Sequence, residues 1–250
     1  MSGSPGGFAL PCRILPKSDS VLLCIPCVPW AKIPWLVFRA ACREVGPGSA
    51  SRLRSVIMKL NHPALVDLLQ KAYSAEMAAS FAYIGHAHSL KNRVAKAAVR
   101  QIEEDEWHHR RCVRALMRQY DVPVSKYYEV RFFIVGKVIS ASCHVIGWFM
   151  PYFFAGRLES GNVCEYFVMM HYFQSLGIRE HDEILYEMGM KEKEHEVYFL
   201  EQIRNSRWLP FFEKIFSWGA RSTLNDVDLA NKYPVEASHA YCKTHKARTE

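Results

Sequence analysis

Two stretches of this sequence pair a glutamate with a histidine three residues later: Glu106-Trp107-His108-His109 and Glu192-Lys193-Glu194-His195. On a helix, residues at i and i+3 leave the same face, so each pair can meet one ion. Two further glutamates sit on otherwise apolar helical faces. Glu76 lies among Ala72, Tyr73, Ala79, Ser80 and Tyr83, and Glu165 among Val168, Met169 and Tyr172. The order along the chain is Glu, Glu-x-x-His, Glu, Glu-x-x-His, with 30 residues between Glu76 and Glu106 and 27 between Glu165 and Glu192. A single Glu-x-x-His on a solvated helix is commonplace, and Glu103-Glu104-Asp105-Glu106 alone reads as a charged surface run. The recurrence at matching places in two helix pairs is what argues for a built site.

The chemistry follows from charge. Four carboxylates cannot all ionise inside a helical core unless cations neutralise them. Mixed Glu/His ligation suits iron or manganese better than a structural zinc. The sequence therefore predicts two ferrous ions held by Glu76, Glu106, His109, Glu165, Glu192 and His195. The carboxylates of Glu76, Glu106, Glu165 and Glu192 bridge the ions and form the catalytic set, the histidines cap the two ends, and open positions face dioxygen. Glu159 is the next candidate should Glu165 not ligate. Glu103, one turn from Glu106, reads as an outer partner. His108 points about 100° away from His109, and His144, His171 and His181 read as ordinary polar or packing residues.

Positioning such a set takes four long helices, and the periodicity supplies them. Asn61-His62-Pro63 reads as a helix start, and an apolar stripe then runs from Leu65 to about Leu90. A second helix is predicted over about 94–120, a third from Gly161-Asn162 to about Ser175 with Gly177 as its stop, and a fourth over about 179–205. Between the second and third lies a polar connection containing Pro123, then an apolar insert, 131–155. No stretch alternates as a strand does. The predicted class is all-α: a ferritin-like four-helix bundle, the architecture known for this ligand order, with an apolar helical crossover between helices two and three.

The formal charge of +7 is uneven. Residues 1–57 hold seven Lys/Arg against Asp19 and Glu44, which leaves the body nearly neutral and argues against nucleic acid as a partner. This first segment is rich in Gly, Pro, Ser and Cys, and Pro26, Pro29, Pro34 and Lys32 interrupt its apolar stretch, Val21–Phe38. Being basic and acid-poor it could be a targeting segment or a disordered extension; the favoured reading is upstream sequence before a true start at Met58. The eight cysteines form no disulfide framework, which favours a reducing compartment. Cys24-Ile-Pro-Cys27 has no matching second pair and reads as incidental. The predicted organisation is an extension over 1–57, a metal-bearing bundle over 58–205 with its crossover at 131–157, and an amphipathic segment and polar tail over 206–250.

Residues 58–205 resemble the demethoxyubiquinone hydroxylase family of ferritin-like di-iron monooxygenases. The resemblance rests on Glu76, Glu-Glu-Asp-Glu-Trp-His-His at 103–109, the apolar insert ending Phe154-Ala155-Gly156-Arg157, Glu165, and Glu-Lys-Glu-His at 192–195. Asn162-Val163-Cys164-Glu165-Tyr166 and the polar tail match less closely. The resemblance implies a membrane-bound, oxygen-dependent hydroxylase of ubiquinone biosynthesis acting on an apolar, quinone-type small molecule. Its electrons would come from NADH or a partner reductase, with an electron-donor or lipid-presenting protein as a further partner and room for a homo-oligomer. It places the protein peripherally on the cytoplasmic face of a bacterial inner membrane, or on the mitochondrial inner membrane in a eukaryote.

The insert bears on the membrane. A spanning helix would put Glu76/Glu106 and Glu165/Glu192 on opposite sides of a bilayer, so 131–155 is predicted to lie in the interface, with Trp148, Phe149, Tyr152, Phe153 and Phe154 as its lipid-seeking end. Trp208, Phe211, Phe212, Ile215, Phe216 and Trp218 would add a second patch. Two rival readings are a ferroxidase or peroxidase of the ferritin–rubrerythrin type, and a non-enzymatic membrane-associated protein with a degenerate site.

Overall fold

A computed structural model describes residues 59–219. Six helices follow one another: α1 Pro63–Ser89, α2 Arg93–Gln119, α3 Lys126–Ser142, α4 Phe149–Ser175, α5 Asp182–Ile203 and α6 Leu209–Phe216. Among the described residues there is no strand, so the class is all-α. The expectations for 1–57, including Cys24 and Cys27, and for the tail beyond Gly219 lie outside the described residues.

The helix starts follow local chemistry. The His62 ring accepts from the Leu65 N–H at 3.0 Å, with Pro63 in the first turn. Asn92 accepts from the Val94 and Ala95 N–H groups at 2.8 and 3.1 Å. Ser125 caps α3, and Asp182 and Glu183 place acidic groups at the positive end of α5. Gly177, at φ +76°, takes the left-handed turn that ends α4.

The short 90–92 connection makes α1 and α2 a hairpin, and α4 with α5 forms a second one. The apolar core falls into two slabs. Leu65, Leu69, Val113, Met117, Phe167, Phe173 and Leu185 build one. Tyr83, Val99, Ile102, Phe149, Phe153, Phe199 and Ile203 build the other. The register left between the slabs on each long helix is where the polar residues fall.

The insert differs from expectation. It is not one crossover over 131–155: α3 ends at Ser142, a turn follows, and α4 starts at Phe149, twelve residues before Gly161. Gly161 is simply a helical residue with open space where a Cβ would go. Phe149, Tyr152 and Phe153 are buried in the second slab, so three of the five aromatic residues expected to seek lipid are core. Trp148 is exposed, and Phe154 lies at the rim. The apolar surface lies instead on α3, where Val130, Phe133, Ile134 and Val138 are exposed. In the second predicted patch, Trp208, Phe211 and Ile215 are exposed, but Trp218 is buried against Phe153. No helix among the described residues is long and apolar enough to cross a membrane. Cys112 and Cys164 are disulfide-bonded and Cys143 is a free thiol, whereas the sequence shows no disulfide framework.

Helix α3 lies tightly on α1. A Cβ on Gly85 would overlap the Ser140 backbone, and one on Gly136 would sit 2.8 Å from the Ala78 Cα. The Lys137 ammonium stands 3.7 Å over the Phe81 ring. We expect Gly85→Ala to lower stability by about 1–3 kcal/mol through forced separation of the two helices. Gly161→Ala should stabilise by about 0.5–1 kcal/mol, because it removes only backbone freedom. Thermal denaturation monitored by circular dichroism checks both signs.

Candidate metal centre

Four helices deliver their polar residues to the gap between the slabs. α1 brings Glu76, α2 brings Glu106 and His109, α4 brings Glu159, and α5 brings Glu192 and His195; all are buried. Ligand-capable atoms of Glu76, Glu106, His109 and Glu192 lie within 4.8 Å of one another, and so do those of Glu106, Glu159, Glu192 and His195. Glu106 and Glu192 belong to both groups. The histidines stand at opposite ends, ring centroids 6.2 Å apart, each turning Nδ1 inward. His109 Nδ1 lies 2.7 Å from Glu192 Oε1, and His195 Nδ1 lies 3.1 Å from Glu106 Oε1.

Five of the six residues named from sequence come together here, and Glu165 does not. It lies on the side of α4, half-buried, with Oε1 2.9 Å from Lys71 Nζ. Glu159 takes its place in the cluster. The reason is register. Glu159 shares the inward face of α4 with Tyr166 and Phe173 at seven-residue steps. Glu165 is six residues from Glu159, which rotates it about 120° off that face and displaces it about 9 Å along the axis.

Outer partners hold the cluster. Asp105 Oδ2 is 3.1 Å from His195 Nε2, so the ring donates outward and keeps Nδ1 free toward the carboxylates. Tyr166 donates a short hydrogen bond to Glu76 Oε1. Asn162 donates to Glu159 Oε2 at 2.8 Å. Sequence reasoning did not name Asp105, Tyr166 or Asn162 as partners. Tyr166 carried a signal, as a polar aromatic seven residues from Glu159. Glu103 faces Trp107, with its Oε1 3.4 Å from Nε1, and is no partner of the cluster. His181 is buried against the Tyr120 hydroxyl at 2.6 Å, a packing role as expected.

The electrostatics fit a cation site. Among the described residues, Glu76 Oε2, Glu159 Oε1, His195 Nδ1, both carboxylate oxygens of Glu106 and Glu192, and both ring nitrogens of His109 have no aligned hydrogen-bond partner. Unpaired buried polar atoms are costly, and nine converging on one small volume argue for ions that complete them. Burial, and then the charges of Glu192 and Glu76, push the Glu106 carboxyl well above its ordinary value of 4.5. Burial and Glu192 do the same to Glu159, and raise Glu76. Burial would raise Glu192 as well, but His109 outweighs it and holds that carboxyl low. Burial opposes protonation of His195, yet Asp105 and Glu106 raise its pKa well above the ordinary range. These groups could hold a metal ion.

No family model, curated protein or solved structure matches this chain.

Two expectations follow. Raised carboxyls contribute stability to the metal-free protein below pH 4.5 and lose it as pH rises. His195 adds the same sign above 6.5. The depressed groups, Glu192 and Asp105, act at lower pH and are spent by about pH 5. Burial lowers the pKa of His86, His108 and His181, so these rings gain stability as pH rises toward 6.5 and oppose the carboxyls there. Between about pH 7 and 8 the metal-free melting temperature should therefore fall while manganous ion stabilises progressively more; a gap independent of pH would contradict this. Asp105→Ala should weaken metal affinity about 10–100-fold, read by equilibrium dialysis, with helicity unchanged.

Proposed function

We propose that the protein is a ferritin-like four-helix-bundle monooxygenase that holds two iron ions and hydroxylates an apolar, quinone-type substrate at the expense of dioxygen. The observation that carries the reading is the buried Glu/His cluster lying beside a large apolar groove. The groove has a volume of about 1010 Å³ and runs between α1 and α4 with α3 as its outer wall. Ala75, Ala78, Ala79 and Ala82 line its α1 side, and Asn162, which holds Glu159, lines its α4 side. A ferroxidase needs a polar path for aqueous iron rather than an apolar groove of this size. The groove therefore favours the hydroxylase over the ferritin–rubrerythrin reading.

The residues present fit the iron pair. Glu76 and His109 would hold one ion, Glu159 and His195 the other, with Glu106 and Glu192 between them. When bound, the irons supply the redox chemistry that activates dioxygen for insertion into a C–H bond. The chain's own part is to orient and to exclude water. Asp105 fixes the His195 ring, and Asn162 and Tyr166 fix the Glu159 and Glu76 carboxylates. The Tyr166 hydroxyl is held protonated by burial and the Glu76 charge, which keeps it a donor to that carboxylate. The two apolar slabs close the cluster above and below. The reductant is NADH or a partner reductase.

The membrane surface is the proposed source of substrate. Ile134, Val138 and Trp148 are exposed, and Trp148 shares a small cleft with Trp208 beside α6. These residues, rather than the buried Phe149 and Phe153, would enter the interface, each contributing up to about 1.5–3 kcal/mol when fully buried in lipid. The location follows: peripheral, on the bilayer face from which the groove is loaded.

Anaerobic ferrous loading tests the centre. We expect about two irons per chain, falling to one or fewer in Glu159→Ala and unchanged in Glu165→Ala. Oxygen-dependent turnover of a demethoxyquinone should be lost in the first variant and retained in the second. A wild-type stoichiometry near zero would overturn the di-iron reading. For the surface, replacing Ile134, Val138 and Trp148 together by Ser should release the protein from anionic liposomes in a sedimentation assay while its iron remains.

A further inference from the structure

The groove has a polar feature that the metal centre does not use. On α1, Tyr83 and His86 line the groove two and three turns beyond Glu76. Both are buried, at 2 % exposure each. Among the described residues, the Tyr83 hydroxyl and both ring nitrogens of His86 have no hydrogen-bond partner. Their surroundings are aromatic: Tyr83 stacks on Phe199 at 5.4 Å, and the His86 ring meets Tyr152 edge-on at 4.5 Å. Burial lowers the His86 pKa to about 4, so the imidazole is neutral and offers one donor and one acceptor. Leaving these groups unmatched costs free energy that apolar replacements would not. Gly156 supplies the closed end: it lets the Trp218 ring lie directly on α4, held there by a 2.8 Å hydrogen bond from Nε1 to Glu196.

We infer that Tyr83 and His86 form a neutral hydrogen-bonding subsite for a ring oxygen, a phenolic hydroxyl or quinone carbonyl, of an alkylated aromatic ligand lying in the groove. Three observations carry it. The partners are neutral, which excludes a carboxylate or phosphate as the favoured ligand. The groove's α1 side extends from Ala64 to His86, about 33 Å at 1.5 Å per residue; Asp67 and Lys71 line its far end, and the run Ala75, Ala78, Ala79 and Ala82 next to Tyr83 is apolar, which suits an alkyl chain. Tyr83 stands about 10 Å beyond Glu76 along the axis, and helical side chains lean toward the N-terminus. A ring anchored there presents its opposite edge toward the cluster. The inference deepens the hydroxylase reading, resting on it for the ligand's place in the reaction but not for binding.

The test is binding to metal-free protein, so it does not depend on turnover. Equilibrium dialysis against 4-hexylphenol and hexylbenzene compares ligands that differ by one hydroxyl. We expect Tyr83→Phe and His86→Leu each to weaken 4-hexylphenol about 3–10-fold, with hexylbenzene unchanged or slightly tighter, and His86→Gln to restore part of the loss. Tyr83→Phe removes a single atom and leaves the stacking on Phe199, so it reports even if the His86 variants fold poorly. Equal loss for both ligands, no change for either, or no binding of 4-hexylphenol to the wild type would overturn the subsite. If the hydroxyl dependence holds but iron does not load, the subsite stands and the hydroxylase reading falls. If iron and turnover hold without hydroxyl dependence, the reverse applies.

Discussion

Everything in this fold answers to the burial of four carboxylates at one level of a helical core. Glu76, Glu106, Glu159 and Glu192 are almost wholly inaccessible, and an unpaired buried charge costs several kcal/mol even after relaxation. Without cations the cluster manages this by holding protons: three carboxyls are pushed up, and only Glu192, against His109, is held ionised. That is a strained solution, and it explains the surrounding arrangement. The apolar core divides into two slabs because the polar layer must lie between them, and Asp105, Asn162 and Tyr166 are placed where a ligand atom would otherwise swing free. Ion binding would release those protons and add its free energy to folding.

The layer also bounds the groove. The hairpins α1–α2 and α4–α5 are each closely packed, but α1 and α4 face one another across the groove. Small side chains on α1 hold that space open, and α3 covers it because Gly85 and Gly136 let its backbone come against α1. The insert is thus a wall of the groove as well as an exposed apolar surface.

Much of this was legible in the residues. The two Glu-x-x-His pairs and Glu76 place five of the six clustered side chains, because i,i+3 geometry on a strongly periodic helix leaves little freedom. The first two helices were read within a residue or two from Asn61-His62-Pro63 and the stripe that follows. Glu159 was displaced by Glu165 for two reasons. The 27-residue spacing to Glu192 resembles that of the first hairpin, and Gly161-Asn162 reads as a helix start. In fact α4 runs straight through both residues, a tertiary override of local propensity. The same slip sent Phe149, Tyr152 and Phe153 to the surface, since an unbroken apolar run shows no preferred face.

Lys193 and Glu196 show the limit of such reading most plainly. In sequence they belong to a charged helix, Lys191-Glu192-Lys193-Glu194-His195-Glu196, whose alternation suggests a solvated face. In the fold Lys193 Nζ and Glu196 Oε2 pair at 2.8 Å with both side chains fully buried. Glu196 also accepts from Trp218, the side chain that closes the end of the groove over Gly156. An apolar pair of similar volume would commonly be as stable or more so, so stability alone does not explain the choice. Direction does: a carboxylate with a fixed partner can orient the indole N–H where an apolar contact could not. The register that sends Glu192 and His195 into the polar layer turns Glu196 toward the Trp218 indole. One short stretch of α5 thereby sets both the floor of the candidate site and the wall at its end.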